Sequence, residues 1–318
     1  MATSTPGSAP PPSLAEPGVS GGHLDPPHRT VPCATPGPWP RVAQRLRRNR
    51  VAMAAVTVLA LVAGVALVVP AVVVIDPLTQ DLRASFLAPG VDGHLLGTDH
   101  LGRDVLLRLV DGARVSLAVG VLAVVISVVV GSGIGLLAGY VGGALDRVLM
   151  RLIDVQLAFP GILLALIIVT VLGTGLDNAM LAVGIGAVPR YARVMRGAVL
   201  SMKHDLFVEA ARSLGATDLR LMLVHILPHV LGPVVTLATL GLGTAILATA
   251  SLSFVGLGAQ PPTAEWGLML AEARTYLRVA WWLAVCPGLA IMATVFAVNL
   301  LGDAVRDALD PQMAFGRD

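Results

Sequence analysis

Charged and aromatic residues are scarce in this sequence of 318 residues. Asp, Glu, Lys and Arg together make up 13% of it, and Phe, Trp and Tyr make up 4%, whereas 55% of the residues are hydrophobic. A soluble domain carries roughly 25% charged residues, so the composition excludes an ordinary soluble protein and indicates a chain that crosses a membrane several times. The net charge is only +2, and we expect no nucleic-acid partner.

Cysteine and lysine are nearly absent as well. Cys33 lies in a polar segment and Cys286 in an apolar one, so neither a disulfide nor a cysteine-based metal or redox motif is expected. The only lysine, Lys203, follows Met202, and the sequence therefore lacks the phosphate-binding loop G-x-x-x-x-G-K-[ST]. We expect the chain to bind no nucleotide, metal ion or other cofactor and to have no catalytic residue of its own.

Long apolar runs predict an all-α polytopic membrane protein with six transmembrane helices, since each run is long enough to cross ~30 Å of hydrocarbon. The predicted spans are Val51–Ile75, Leu117–Tyr140, Val155–Leu172, Ala179–Met195, Val230–Ser251 and Trp282–Leu301. Residues 1–40 are rich in Pro, Gly and Ser and have no apolar periodicity, which predicts a disordered N-terminal tail. The transmembrane domain then comprises residues 41–311, and residues 312–318 form a short C-terminal tail.

Basic residues are concentrated in alternate loops, and the positive-inside rule gives the orientation. The basic residues on the side predicted to be cytoplasmic are Arg41, Arg45, Arg47, Arg48, Arg50, Arg147, Arg151, Arg196, Lys203, Arg212 and Arg220. The loops predicted to lie outside contain Asp76, Asp81, Asp92, Asp99 and Asp104, or the mixed set Glu265, Glu272 and Arg274. We therefore expect a multi-pass membrane protein with both termini in the cytoplasm. The use of Arg in place of Lys, with much Ala, Val, Leu and Gly, suggests a GC-rich bacterial genome and hence the inner (plasma) membrane.

Two features inside the spans bear on the type of transporter. No Asp, Glu, Lys or Arg lies at the predicted centre of any span, which counts against a carrier coupled to protons or sodium. Gly131, Gly135 and Gly139 recur at intervals of four residues and predict a face where a neighbouring helix backbone approaches closely. A gating hinge at these glycines is the alternative.

The cytoplasmic loop at about residues 198–228 contains the run Glu209-Ala210-Ala211-Arg212-Ser213-Leu214-Gly215, followed by Leu227-Pro228. It predicts a short amphipathic helix, a turn at Gly215, which is free to adopt a left-handed conformation, and a proline where the next membrane helix begins. The loop resembles the coupling loop of permease subunits in bacterial ABC importers, where such a helix contacts an ATPase. A surface helix that touches only lipid headgroups is the alternative.

A second dense motif lies between the first two spans, outside the membrane. In the run Gly97-Thr98-Asp99-His100-Leu101-Gly102-Arg103-Asp104, three charged side chains can pair, and Gly97 and Gly102 indicate a tight turn. We weigh three roles for it: a scaffold that caps the second span, a contact for an external protein, and a solvated turn. The glycines favour the scaffold.

Together with this motif, several others in the same order resemble the C-type permease of the dipeptide/oligopeptide/nickel ABC importer family. They are Gly112-Ala113-Arg114, Ser116-Leu117, Leu252 to Gly258, Pro261-Pro262, Glu265-Trp266-Gly267 and Asn299 to Pro311. The resemblance implies the permease fold of type I ABC importers. It also implies that Glu209, Ala210, Ala211 and Gly215 form the ATPase-coupling helix, with Leu227 and Pro228 completing the motif.

By this resemblance the chain is half of a translocation path for di- or oligopeptides. The implied partners are a second homologous permease, two ABC ATPases that bind ATP and Mg²⁺, an extracytoplasmic solute-binding protein, and the lipid bilayer. A permease for nickel or a metal chelate stays open, because that branch shares the motifs. A secondary transporter and a membrane anchor without a translocation path are the remaining alternatives.

Overall fold

A computed structural model describes residues 44–72 and 77–309. The predicted tails, residues 1–40 and 312–318, lie outside the described residues, as does the end of the first predicted span. Within those residues the chain is helical, with two isolated β-bridges and no strand. The helices are α1 (Arg50–Val72), α2 (Val105–Val141), α3 (Gly143–Leu157), α4 (Gly161–Leu172), α5 (Leu176–Met202), α6 (Leu206–Ser213), α7 (Asp218–Phe254), α8 (Trp266–Ala273) and α9 (Trp282–Leu309).

Four of the described helices, α1, α2, α7 and α9, are long and apolar enough to cross a membrane. They contain the second, fifth and sixth predicted spans and the described part of the first, Val51 to Val72. Helices α2 and α7 each have 37 residues, so both continue well beyond the apolar run from which they were predicted. The polytopic all-α fold is therefore confirmed, and the count of six straight spans is only approximate.

The third predicted span, Val155–Leu172, is wrong as a single helix. Its residues belong to α3 and α4, whose axes make an angle of 93° at the intervening break. Pro160 stands immediately before α4. Proline has no N–H to donate and disfavours the helical conformation of the residue before it, which accounts for the interruption at Phe159.

The helix that contains the fourth predicted span is longer than that span. Helix α5 runs from Leu176 to Met202, whereas the apolar run indicates Ala179–Met195. At ~1.5 Å rise per residue, Arg190 stands ~21 Å from Leu176 and ~18 Å from Met202. Helix α5 is not among the described helices that are long and apolar enough to cross a membrane, so the expectation that no charged residue lies at the centre of a span stays a prediction at Arg190.

Helices α2 and α5 pack closely along the three spaced glycines. A Cβ atom added at Gly131 would lie 2.6 Å from the carbonyl oxygen of Val188, and one at Gly139 would lie 2.9 Å from Cβ of Val199. Gly135 faces the Ala192 carbonyl in the same way. These separations are too short for any side chain, so the glycines lie where the packing interpretation places them.

The two ends of the described bundle meet. The guanidinium of Arg45, just before α1, donates a hydrogen bond of 3.1 Å to the carbonyl oxygen of Ala308 near the end of α9. Since α1 and α9 also pack against each other, the chain enters and leaves the bundle on the same side.

Candidate functional site

Helix α6 is the short helix predicted in the loop between α5 and α7. It begins at Leu206 and ends at Ser213, and the Leu214 N–H donates to the carbonyl oxygen of Ala210 at 3.1 Å. Gly215 follows with φ of +85°, a left-handed conformation that strongly favours glycine. The local geometry is the one expected from the sequence: a helix of two turns that stops at a glycine.

One side of α6 is anchored and the other is open. Val208 is completely buried and packs with Leu221 and Ile226 of α7. Glu209 and Ala210 are exposed and Ala211 is half-buried. The Glu209 carboxylate makes no hydrogen bond or ion pair within the described part of the chain, so a partner for it would have to come from outside that part.

Apolar side chains border this open face. Leu206 is 84% exposed and Leu214 is 90% exposed, one at each end of α6. Large apolar side chains that protein atoms cover so little, beside a small-residue surface and an unpaired carboxylate, are typical of a protein contact site. We call the exposed residues Leu206, Glu209, Ala210 and Leu214 the loop-helix face.

A polar contact outside the predicted motif also holds α6 in place. The Arg212 guanidinium donates to the Tyr140 hydroxyl at 3.4 Å, and that hydroxyl donates to the Asp218 carboxylate. The Tyr140 hydroxyl raises the pKa of Arg212 above its ordinary value. Sequence reasoning missed Tyr140 and Asp218, because nothing in the pattern shows that the end of α2 lies beside this loop.

The predicted position of Pro228, at the entry to the next membrane helix, agrees with the start of the α-helical part of α7 at Leu227. Helix α7 begins at Asp218, and a π-helical turn, Leu221–Ile226, precedes Leu227 and Pro228. Pro228 lies in the first turn of the α-helical part. A residue without an N–H donor is tolerated there because the wider turn before it already interrupts the regular hydrogen bonding.

On the side opposite α6, the Gly97–Asp104 motif forms a buried cluster of charges. The Arg103 Nε atom lies 2.6 Å from the Asp99 carboxylate, and both side chains are almost fully buried. Arg108 and Arg103 both contact Glu272, with N–O distances of 3.0 and 3.3 Å. We call Asp99, Arg103, Arg108 and Glu272 the ion cluster; its two positive and two negative charges balance.

Asp104 makes different contacts from Asp99. Its carboxylate accepts a hydrogen bond of 3.1 Å from the Leu107 N–H and so caps α2, and it lies 2.6 Å from Nδ1 of His94. The turn before it is tight: Gly97 and Gly102 have φ of +77° and +72°. This geometry agrees with the scaffold interpretation of the motif, and contact with an external protein stays a prediction.

Sequence reasoning missed half of the ion cluster. Arg108 lies one turn into α2, and Glu272 lies on α8, far away in sequence. The only available signal was that both residues are charged and stand close to apolar runs. Pairing across 164 positions cannot be read from one sequence.

A cavity of about 450 Å³ lies among α2, α4, α5 and α7, beside the break between α3 and α4. Most of its wall is apolar. Its polar lining residues are Ser127, Gln156, Arg190, Tyr191, Thr244 and Ser251. None of them was among the residues singled out from the sequence, although an arginine beside an apolar run was a usable signal.

Comparison with known proteins agrees with these motifs. Residues 131–315 match the family described as "Binding-protein-dependent transport system inner membrane component". Residues 37–89 match the family described as "N-terminal TM domain of oligopeptide transport permease C". The first of these matches includes the loop-helix face and Glu272 of the ion cluster, whereas Asp99, Arg103 and Arg108 lie between the two matches.

Curated relatives are similar over most of their length. A di/tripeptide transport system permease protein of Pseudomonas aeruginosa is 44% identical over 284 residues, which cover 87% of this chain and 93% of the relative. A glutathione transport system permease protein of Escherichia coli is 47% identical over 277 residues, with coverage of 87% and 91%. A dipeptide transport system permease protein of Haemophilus influenzae is 41% identical over 272 residues, with coverage of 84% and 92%.

A solved structure shares the fold. A chain of the MetNI methionine ABC transporter, in an inward-facing conformation, aligns with a TM-score of 0.53. The alignment covers 64% of this chain and 97% of that chain, at 22% sequence identity. At this identity the likeness concerns the arrangement of helices.

Proposed function

We propose a transport function from one premise: this chain belongs to the binding-protein-dependent transport system inner membrane component family and is a C-type permease of it. In the proposed function, the chain forms half of the path of an ATP-driven importer of di- and oligopeptides. The loop-helix face carries this proposal. It exposes an unpaired carboxylate between two strongly exposed leucines, on a helix fixed from behind by the buried Val208. Such a face is suited to transmit force between two proteins.

The proposed partners follow from this arrangement. Two ABC ATPases would bind ATP and Mg²⁺, because this sequence has no phosphate-binding loop, and one of them would contact Glu209, Ala210, Ala211 and Gly215. A second homologous permease would complete the path, and an extracytoplasmic solute-binding protein would deliver the peptide. The chain itself would catalyse no reaction.

The proposed cycle is alternating access. Closure of the ATPase dimer on ATP would move α6 as a rigid lever, because Val208 and the Arg212–Tyr140 contact tie it to α7 and α2. The paired permeases would then change from inward-facing to outward-facing, a population shift driven by nucleotide. With α6 in the cytoplasm, the contact between Arg45 and Ala308 supports cytoplasmic positions for both termini.

Peptides are the proposed cargo because the names of three relatives specify di- or tripeptides, dipeptides or glutathione. The test is uptake of a labelled dipeptide by cells that express this chain with its proposed permease, ATPase and binding-protein partners. We expect unlabelled dipeptides and tripeptides to compete, and a nickel salt to have no effect. Uptake of radioactive nickel by the same cells, with no uptake of the dipeptide, would replace peptide import with metal import.

A further inference from the structure

Three arginines follow one another along α5 at intervals of three residues, and two of them are paired. Arg196 donates two hydrogen bonds, of 2.6 and 2.7 Å, to the Asp146 carboxylate. Arg193 donates one of 2.6 Å to Asp154. Both acids are on α3, so each guanidinium has a carboxylate opposite it.

Arg190 is the third arginine, and it has no such partner. Its guanidinium makes no hydrogen bond or ion pair with any of residues 44–72 and 77–309. Helix α3 ends at Leu157 and the chain turns away by 93°, so no further acid of α3 comes opposite Arg190. The last polar residue there, Gln156, donates its amide hydrogen to the Ile185 carbonyl at 2.6 Å.

The surroundings of Arg190 give this free guanidinium a place to act. Arg190 is an exposed residue near the middle of α5, and it lines the 450 Å³ cavity. A carboxylate is the best-matched binding partner for a guanidinium at this position, because the two planar groups can pair through two parallel hydrogen bonds.

The rest of the cavity fits a small peptide. Thr244, an exposed residue of α7, lines it together with Arg190 and offers a hydroxyl that can donate or accept a hydrogen bond. Much of the remaining wall is apolar, with Val124, Phe159 and Ile162 as examples. A volume of 450 Å³ lies within the ~300–1,000 Å³ common for small-molecule sites.

We propose that this cavity is a transit site for peptides, in which Arg190 binds the C-terminal carboxylate and the apolar wall contacts a side chain. The inference rests on the proposed function, because it assumes that peptides cross this permease. If Arg190 binds this carboxylate, the proposed substrates of the importer are peptides with a free carboxyl end. Arg193, one turn along the same helix, is exposed like Arg190 but is paired with Asp154 and does not line the cavity.

The test is photoaffinity labelling of the purified complex of this chain with its second permease and ATPases, without binding protein. The probe is a dipeptide that has a benzophenone side chain and a free carboxylate. We expect it to label residues of the cavity, and excess alanyl-alanine to block labelling at a concentration at which alanyl-alanine amide does not. Labelling should fall at least tenfold in Arg190→Gln, and should be retained in Arg190→Lys and in the control Arg193→Gln.

Three results would overturn the inference while peptide import by the wild-type complex stands. They are equal competition by acid and amide, unchanged labelling in Arg190→Gln, and loss of the assembled complex in Arg190→Gln with rescue by lysine. The last result would mean that Arg190 pairs with a carboxylate of the partner permease. If the wild-type complex imports no peptide at all, the proposed function fails and this inference fails with it.

Discussion

Asp99 and Arg103 form an ion pair of 2.6 Å in which both side chains are almost fully buried. Asp99 also accepts hydrogen bonds from the backbone N–H groups of Leu101 and Arg103, at 2.8 and 2.9 Å. The carboxylate therefore holds its own turn together and, through Arg103 and Glu272, attaches that turn to α8. This relationship makes the outer loop a fixed part of the helix bundle.

Replacing Asp99 by Ala should strongly destabilise the protein, because it leaves the buried Arg103 and Arg108 with Glu272 as their only acidic partner in the ion cluster. Breaking a buried pair by removing one partner costs about 3–5 kcal/mol. Asp154→Ala is the matched control, since the Asp154–Arg193 pair is more than half exposed and such pairs contribute about 0–1 kcal/mol. Thermal unfolding of the purified complex in detergent measures both, and equal losses would contradict the assignment.

Asp104→Ala should remove the cap of α2 and lower stability by about 1–3 kcal/mol, since the Leu107 N–H loses its acceptor. The measurement is the same unfolding assay, combined with titration of ATPase activity by the binding protein. If the motif instead contacts the binding protein, stability will hold and the concentration for half-maximal stimulation will rise. A variant unchanged in both assays would mean a solvated turn.

Gly131→Ala should destabilise the α2–α5 contact, and Gly133→Ala should not. A Cβ at Gly131 would lie 2.6 Å from a backbone oxygen of α5, whereas a Cβ at Gly133 meets no atom within 4 Å. Overpacking of this kind costs about 1–3 kcal/mol, while alanine at Gly133 also favours the helix itself. Similar unfolding temperatures for the two variants would show that the glycines do not act through packing.

Glu209→Lys should leave the chain in the membrane but uncouple ATP hydrolysis from peptide uptake, because the substitution reverses the charge on the loop-helix face. Gly215→Val should do the same by straining a residue with φ of +85°, where a Cβ would meet no neighbouring atom. Gly215→Asn is the control, since asparagine tolerates the left-handed region. Normal coupling in Glu209→Lys and Gly215→Val, at equal expression, would remove α6 from the proposed lever.

Local patterns predicted much of this structure because their causes are local. Four long apolar runs correspond to long helices in the structure, and the glycines at 131, 135 and 139 lie at a close helix contact. The break at Pro160 was also available from the sequence, although hydropathy alone conceals it. Proline interrupts a helix even within an apolar run, so Pro160 indicates the break where hydropathy does not.

Long-range pairings account for what the sequence could not show. Glu272 joins Arg108, and Tyr140 joins Arg212, only because distant helices come to lie side by side. The unpaired state of Arg190 is equally invisible, since it depends on where α3 ends opposite α5. The start of α7 at Asp218 depends on a π-helical turn that no simple periodicity predicts.

The central claim, ATP-driven peptide import, is tested most directly in sealed vesicles that contain this chain with its proposed permease and ATPase partners. ATP is enclosed inside, and the binding protein and a labelled dipeptide are added outside, with ionophores present to abolish ion gradients. We predict uptake that requires both ATP and the binding protein and continues when the gradients are gone. Uptake that needs an ion gradient and proceeds without ATP would contradict the account.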